Sequence, residues 1–351
     1  MTRPAILVVG GYGAVGQELC RDLARHGLLP VVAGRSPEKG AALAQRLSTS
    51  SRRLDVDEPP TWPAALAGIG MVVMCVDQTS TGFVRYLFDR GIHYVDLTAT
   101  DGFFRALEAL PPPDRSAALL SVGLAPGLTN MLAAAIAAAF DRPTRVDIGL
   151  LFGLGDSHGS AGLDWMAARI FDPARPRSPR RIDFGRPWGL RTAHVVDFSD
   201  QHALTRRMPS AVVTTRVAFD SRLATAVLFG ISTWLGRSAV FRRLVRRSFS
   251  AVRLGSKAVN VTVEARGLRG GILHRATVRY RGEDESRTTA RVASLMIRLF
   301  LAGRPPHGIQ HSHDAFDCQH FLAALRAEGI GELEWNEASP APTWVTPEVA
   351  G

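Results

Sequence analysis

Cysteine is scarce in this sequence, which has three: Cys20, Cys75 and Cys318. They are odd in number, scattered and outside any metal-ligand spacing. A disulfide framework is therefore excluded, no metal site is expected, and a reducing compartment is predicted. Long hydrophobic runs are also missing. The longest, around Leu223 to Leu235, is too short and too interrupted to span a bilayer. MTRPAILVVG enters a strand-like run with no charged-then-apolar leader, so a cytoplasmic location is expected. Lysine is almost absent: Lys39 and Lys257 are the two among 42 basic residues. Only Lys257 could be considered for Schiff-base chemistry, and it reads as a solvent-facing residue beside a strand. No internal repeat is visible.

What the chain has is arginine. Against 32 acidic residues the 42 basic ones leave a formal charge of +10. Two clusters stand out, Arg169 to Arg191 and Arg237 to Arg253. The plain reading is a solvated basic face; the sharper ones are a surface for anionic substrates, nucleic acid or anionic lipid. Nothing resembles a helix-turn-helix or an aromatic RNA-binding strand, so nucleic acid is not an expected partner. At 351 residues, 46% apolar and 21% charged, the chain reads as globular with room for two domains.

The organising stretch is GGYGAVG, Gly10 to Gly16. It follows an apolar β-type run, Ala5 to Val9, and opens a helical run, Ala14 to Arg25. Gly11, Gly13 and Gly16 fill the spacing GxGxxG. The first glycine permits a tight turn, the second lets a pyrophosphate approach bare backbone, and the third lets helix and strand pack closely. The N–H groups and dipole of the new helix then face the phosphates. The plain alternative is a glycine-rich turn that binds nothing. A second strand, Leu29 to Ala33, should end where a NAD site usually places an acid on the ribose 2′-hydroxyl. Gly34, Arg35 and Ser36 stand there instead. Arginine can pair with a 2′-phosphate, and Ser36-Pro37 reads as a helix cap followed by proline, so NADP(H) is favoured over NAD(H).

Further strands are predicted at Arg52 to Val56, Met71 to Val76, Tyr94 to Leu97 and Leu119 to Val122, with helices at Trp62 to Leu66 and Thr79 to Arg90 between them. Continuous apolar runs alternating with helices predict a doubly wound parallel sheet. Its ligand would lie at the carboxyl ends of the strands, where the chain places Arg35, Asp55, Cys75 to Asp77, Thr98 and Gly123 to Gly127.

GGYGAVG with AGRS, then YVDLT at Tyr94 to Thr98, then GLAPGLTN at Gly123 to Asn130, resembles the saccharopine dehydrogenase-like group of NAD(P)-binding oxidoreductases, which includes saccharopine reductase and carboxynorspermidine dehydrogenase. The C-terminal third fits the same pattern, with a strand pair, Ala258 to Ala265 and Leu273 to Tyr280, before a helix, Arg287 to Leu301. The resemblance implies a Rossmann domain over residues 1–127 and a substrate and dimerisation domain with a mixed or antiparallel sheet over 128–303. A segment at 304–351 would return to the first domain. It implies that Gly11, Tyr12, Gly13, Ala14, Val15 and Gly16 hold the pyrophosphate, and that Gly34, Arg35 and Ser36 hold the 2′-phosphate. Asp55 and Val56 would lie at the adenine, Cys75 and Val76 at the ribose, and Thr98 and Pro126 near the nicotinamide. The chain departs from the pattern on the substrate side: Ala99-Thr100 replaces an acidic pair, and Ala125 stands where relatives often have Asp. A strict saccharopine or carboxynorspermidine substrate therefore does not follow.

From Arg145 the pattern becomes that of a one-face-covered sheet, with strand candidates Val146 to Phe152, Val195 to Phe198, Ala211 to Phe219, Val259 to Ala265 and Ala276 to Tyr280. Leu163 to Phe171 reads as a helix, and Arg175 to Pro187 as an exposed Pro- and Arg-rich segment. His158, in a glycine-rich loop, and Asp101 are the candidate proton donors. Arg191, Arg216 and Arg222 could each clamp a carboxylate. The apolar LATAVLFGISTWLG runs into a basic amphipathic stretch, Arg237 to Phe249, which could be a core helix with a wet face, a cleft cover, a dimer contact or a membrane-surface helix. The expected function is NADP(H)-dependent reduction of an imine, or oxidation of a secondary amine, derived from an amino acid or amine, by a homodimer acting on a small molecule. A carbonyl or enoyl reductase of hydrophobic substrates and a non-catalytic NADP(H)-binding module are the alternatives.

Overall fold

A computed structural model describes residues 5–155, 160–235, 255–303 and 307–336. The chain divides into two compact units, Met1–Leu128 with Thr289–Phe316, and Thr129–Thr288 with Asp317–Gly351. The architecture is mixed α/β, with one seven-stranded sheet in each unit.

In the first unit the strands are β1 (Ala5–Val9), β2 (Pro30–Gly34), β3 (Ser51–Arg53), β4 (Ile69–Met74), β5 (His93–Asp96), β6 (Ala117–Leu120) and β13 (Gly308–His311). All pair parallel, in the order β13-β6-β5-β4-β1-β2-β3. Strand order reverses around β1, which pairs β2 on one side and β4 on the other, and such a switch point opens a crevice at the carboxyl ends. Parallel pairing requires helical crossovers on both faces, so the central strands are apolar throughout; Ile6–Val9 and Met71–Met74 are all buried. The crossovers begin with α1 (Ala14–Arg25), α2 (Pro37–Arg46), α3 (Trp62–Leu66), α4 (Gly82–Phe88) and α5 (Asp101–Glu108). In α1, Leu19, Cys20 and Leu23 are buried and Arg21 and Arg25 are not, the helical spacing of a one-sided face.

Some boundaries differ from those the sequence predicts. Leu29 is 63% exposed and precedes β2, because Gly27 at φ +73° ends the α1 turn and the chain has yet to reach the sheet. The edge strand β3 stops at Arg53, and Asp55 turns the chain by accepting from the Asp57 N–H at 3.1 Å. Helix α4 is trimmed at both ends: the Ser80 Oγ accepts from the Gly82 N–H at 3.2 Å, and Gly91 takes φ +67°.

The second unit is built on β7 (Arg142–Phe152), β8 (Arg180–Asp183), β9 (Leu190–Val195), β10 (Val212–Phe219), β11 (Ala258–Arg269), β12 (Ile272–Glu283) and β14 (Glu332–Asn336). Their order is β14-β12-β11-β7-β10-β9-β8, and β7–β10 is its one parallel pair. Helices α6 (Thr129–Ala137), α7 (Ser160–Ile170), α8 (Ser199–Arg207), α9 (Arg222–Leu235) and α12 (Cys318–Ala327) belong to it, α10 (Glu285–Ala302) spans the boundary between units, and α11 (Ser312–Ala315) lies in the first. Val146, Ile148 and Leu150 of β7 and Val259, Val261 and Val263 of β11 are buried side by side, which makes this the core of the sheet.

The segment Arg175 to Pro187 is largely exposed, as expected, but three of its residues turn inward: Arg175, Ile182 and Phe184 are 8%, 7% and 2% exposed. The stretch folds over Gly149 of β7, where a Cβ would lie 2.9 Å from the Ile182 side chain. Glycine makes the room and two apolar residues fill it, a tertiary fit that Pro and Arg content conceals. The strand expected at Val195 to Phe198 lies earlier, at Leu190–Val195. Val196 to Phe198 leads instead into α8. No described helix is long and apolar enough to cross a membrane.

Candidate functional site

The crevice begins at Gly10. The Gly10 and Gly11 amides both donate to the Ala33 carbonyl, at 2.9 and 3.1 Å, and Gly13 N–H closes the turn onto the Gly10 carbonyl at 2.8 Å. A Cβ on Gly16 would lie 2.2 Å from the Gly10 carbonyl oxygen, and one on Gly11 2.9 Å from that of Val8. Both positions therefore exclude any side chain. At Gly13 the only neighbour is the Gly10 carbonyl at 3.1 Å, and beyond it lies open space. Gly13 is also the N-cap of α1, has no side chain to cap the helix, and is followed by no acid in the first turn. The first-turn amides thus face outward unanswered, the arrangement that suits a diphosphate.

Tyr12 joins this turn to the end of β2. Its ring occupies the space that a Cβ on Gly34 would need, 2.6 Å away, and its hydroxyl accepts from the Ser36 N–H at 2.9 Å. Ser36 caps α2, accepting from the Lys39 amide at 3.5 Å and donating to Glu38 at 3.0 Å. Arg35 is exposed, and among the described residues nothing holds its guanidinium. The residues present therefore fit an NADP(H): a bare backbone cradle, a helix N-terminus, and a cation at the tip of β2 in place of an acid. Asp55 and Val56 leave β3, and Cys75 and Val76 leave β4, on the same carboxyl edge. Val76 packs on Gly10, where a Cβ would come within 2.6 Å of its Cγ1. Burial pushes the Cys75 thiol well up, so it stays protonated.

Beyond β5 lies a polar cluster that sequence reasoning missed. Strand alternation puts Tyr94 and Asp96 on one face. The buried Asp96 carboxylate accepts from the Tyr94 hydroxyl, from the Thr98 N–H at 2.6 Å and from the Thr98 hydroxyl at 2.5 Å. Gln78 Nε2 donates to the Tyr94 oxygen at 2.6 Å. Burial raises Asp96 from 3.8 to about 6 against the pull of those donors. Thr98, expected near the nicotinamide, is thus fixed by its backbone and its hydroxyl together. The signal was present in YVDLT, but nothing local says that Asp96 faces inward.

Pro126 lies in the Leu124–Leu128 turn after β6, where Gly127 takes φ +136° and leaves no room for a Cβ, the Ser121 carbonyl being 3.2 Å away. Of the two candidate proton donors, Asp101 opens α5 and pairs with Arg105 at 3.1 Å. His158 lies outside the described residues, as does the basic stretch Arg237 to Phe249. Arg216 is corrected as a substrate clamp. It is 3% exposed and bound to Asp147, which also takes Arg145 at 2.7 Å and Arg180, so its charge is consumed inside the sheet. Arg191 and Arg222 line a cavity in the second unit.

Residues 6–122 match the saccharopine dehydrogenase NADP binding domain. No curated protein sequence matches the chain. Among solved structures, the saccharopine dehydrogenase (L-Glu forming) of Saccharomyces cerevisiae is similar at 13% identity and a TM-score of 0.65, over 96% of this chain and 100% of that one. The C. glutamicum DAP dehydrogenase in complex with DAP gives 14% identity and 0.47, over 93% and 99%. An engineered D-amino acid dehydrogenase bound to NADP+ gives 13% and 0.46, over 93% and 99%. The yeast enzyme shows a fold shared along the whole length, and the domain match carries the cofactor, NADP(H). Residues 6–122 are thus similar to a saccharopine dehydrogenase NADP-binding domain, and the fold of the chain is similar to that of the yeast saccharopine dehydrogenase.

Proposed function

We propose that the protein is an NADP(H)-dependent oxidoreductase acting on a C–N bond, reducing an imine formed from an amino acid or amine, or oxidising the corresponding secondary amine. The observation that carries this reading is the saccharopine dehydrogenase NADP-binding domain with Arg35, not an acid, at the tip of β2. When bound, the nicotinamide supplies a hydride to the imine carbon or takes one back. The chain's own residues bind and orient. Gly11 to Gly16 would receive the diphosphate, and Gly34, Arg35 and Ser36 the 2′-phosphate. Asp55 and Val56 would flank the adenine, and Cys75 and Val76 the ribose. Thr98, pinned by Asp96, and Pro126 would border the ring.

An iminium substrate arrives already protonated, so hydride transfer to it needs orientation more than a strong acid. Asp101 and His158 are the candidates for the proton that a neutral imine or carbinolamine requires; His158→Asn and Asp101→Asn, compared by pH–rate profile, would tell them apart.

The test is fluorescence titration of NADPH and NADH on the wild type and on Arg35→Ala, followed by NADPH oxidation with amine–carbonyl pairs. A strong NADPH preference that collapses in the variant, and turnover only when amine and carbonyl are both present, is the expected result. Turnover with carbonyl alone would replace this reading by a carbonyl reductase. Tight NADPH binding with no turnover of any pair would make it a binding module.

A further inference from the structure

The second unit contains a cavity of about 960 Å³, walled by the approach to β8, by β9 and by α9. Arg175, Arg177, Arg181, Arg191 and Arg222 line it, and its described wall includes no aspartate or glutamate. Five cations around one void repel one another, and a chain gains from such a cluster when an anion occupies it.

The arginines are held in place. Arg191 Nη1 and Arg222 Nη2 both donate to the Leu190 carbonyl, at 3.4 and 3.2 Å, which brings two guanidinium groups from β9 and α9 to one point. Arg191 Nε is buried with no hydrogen-bond partner. Arg175 donates to the carbonyls of Ile170 and Val195, at 3.2 and 3.3 Å, and lies 5.0 Å over the Phe229 ring. Burial first, then the charge of Arg222, pushes Arg191 below the usual arginine range, and burial with Arg177 does the same to Arg175. Asp220, which partly offsets this at Arg191, is occupied by the amides of Ser221 and Ser256 and the Ser256 hydroxyl.

The remainder of the wall is neutral. His194 stacks on Phe229, with centroids 4.2 Å apart at 7°, and burial together with Arg175 lowers it to about 4, so the imidazole is uncharged near neutrality. Ala226 and Leu190 add apolar surface. A monocarboxylate satisfies one guanidinium and fills little of this space. A phosphate monoester brings three acceptor oxygens and a charge near −2. Small-molecule pockets span about 300–1,000 Å³, so the volume leaves room for a substantial organic body.

We propose that this cavity binds an organic phosphate monoester, its dianionic head between Arg191, Arg222 and the neighbouring arginines and its apolar or aromatic body along the His194 and Ala226 walls. The inference does not depend on the C–N chemistry proposed above. The phosphate can come from a soluble metabolite or from a phosphatidic-acid headgroup, and the experiment separates them.

The full-length chain, presaturated with NADP+ so that the glycine turn is occupied, is titrated calorimetrically with phenyl phosphate, inorganic phosphate and benzoate, and sedimented with phosphatidylcholine vesicles with and without phosphatidic acid. Should NADP+ not bind, the same titrations are run without it, so failure of the cofactor reading leaves this readout intact. One phenyl phosphate per chain is expected, bound roughly tenfold or more tightly than either small anion. Arg191→Gln/Arg222→Gln should abolish that preference. Ala226→Trp, which leaves every arginine in place, should lose phenyl phosphate but keep inorganic phosphate. Phosphatidic-acid-dependent sedimentation that the double variant removes identifies a lipid headgroup; binding of phenyl phosphate without it identifies a soluble ligand. Equal affinity for inorganic phosphate, affinity untouched by both variants, or no binding of phenyl phosphate and of vesicles alike overturns the proposal.

Discussion

Ser121 Oγ and His311 Nδ1 lie 2.8 Å apart, although 190 residues separate them in the chain. Strand β13 pairs parallel with β6, which sets His311 opposite Leu120, and Ser121 turns the chain at φ +56°. His311 Nε2 in turn meets Glu108 at 2.7 Å. The connectivity is that of a serine–histidine–carboxylate relay, but Ser121 is 0% exposed and offers no oxygen to a substrate. Its role is to tie the turn after β6 to the last strand of the sheet.

Ser121→Ala should therefore leave hydrolysis of p-nitrophenyl acetate at the wild-type background. It should cost about 1–3 kcal/mol in urea denaturation, because a buried histidine nitrogen loses its partner. Esterase activity that disappears in the variant would overturn this.

The glycine cradle gives a sharper expectation. Gly16→Ala places a methyl where the Gly10 carbonyl oxygen stands 2.2 Å away, so the turn must open. NADPH affinity measured by fluorescence should fall at least about tenfold, or ~1.4 kcal/mol. The second unit's fold, read by the near-UV signal of its tryptophans, should persist. Unaltered affinity would mean that Gly16 serves only packing.

Asp96 predicts a pH dependence. Its folded value, about 6, lies above the ordinary 3.8, so the fold disfavours the ionised form. The group's stability contribution is present in full below about pH 4 and is lost as pH rises through about 6, an effect on the order of 3 kcal/mol. Wild type minus Asp96→Asn melting temperature should therefore increase on acidification from pH 7 to pH 4. A constant difference would show that Asp96 is not held in a costly charged state.

Asp147 carries three arginines, of which Arg216 is the most deeply buried. Asp147→Ala strands that guanidinium and should cost about 3–5 kcal/mol, whereas Asp147→Ala/Arg216→Met should recover part of the loss. Denaturant titration of both variants is the check, and equal destabilisation would deny the pair its coupling. The signed pH effect is opposite to that of Asp96. Arginine contacts hold Asp147 below 3.8, so its contribution is complete above that value and fades as pH falls through the folded one.

Much of the first unit was legible in the sequence because its signals are local. A doubly buried parallel strand must be continuously apolar, a helix that opens onto phosphate needs glycine at fixed offsets, and a cap followed by proline marks Ser36 on sight. The missing acid and the arginine after β2 could be read in the same way. Arg216, by contrast, reads as one of three candidate carboxylate clamps, since nothing near it in sequence announces Asp147, 69 residues away. The segment Arg175 to Pro187 is mostly exposed, as its composition suggests, but composition alone cannot reveal that Gly149 makes room for Ile182 and Phe184 within it. The Asp96 cluster, the Ser121–His311–Glu108 tie and the convergence of Arg191 and Arg222 on the Leu190 carbonyl were decided by the tertiary structure. Each depends on which strands become neighbours and which faces close, and those are long-range pairings that neither propensity nor spacing along the chain encodes.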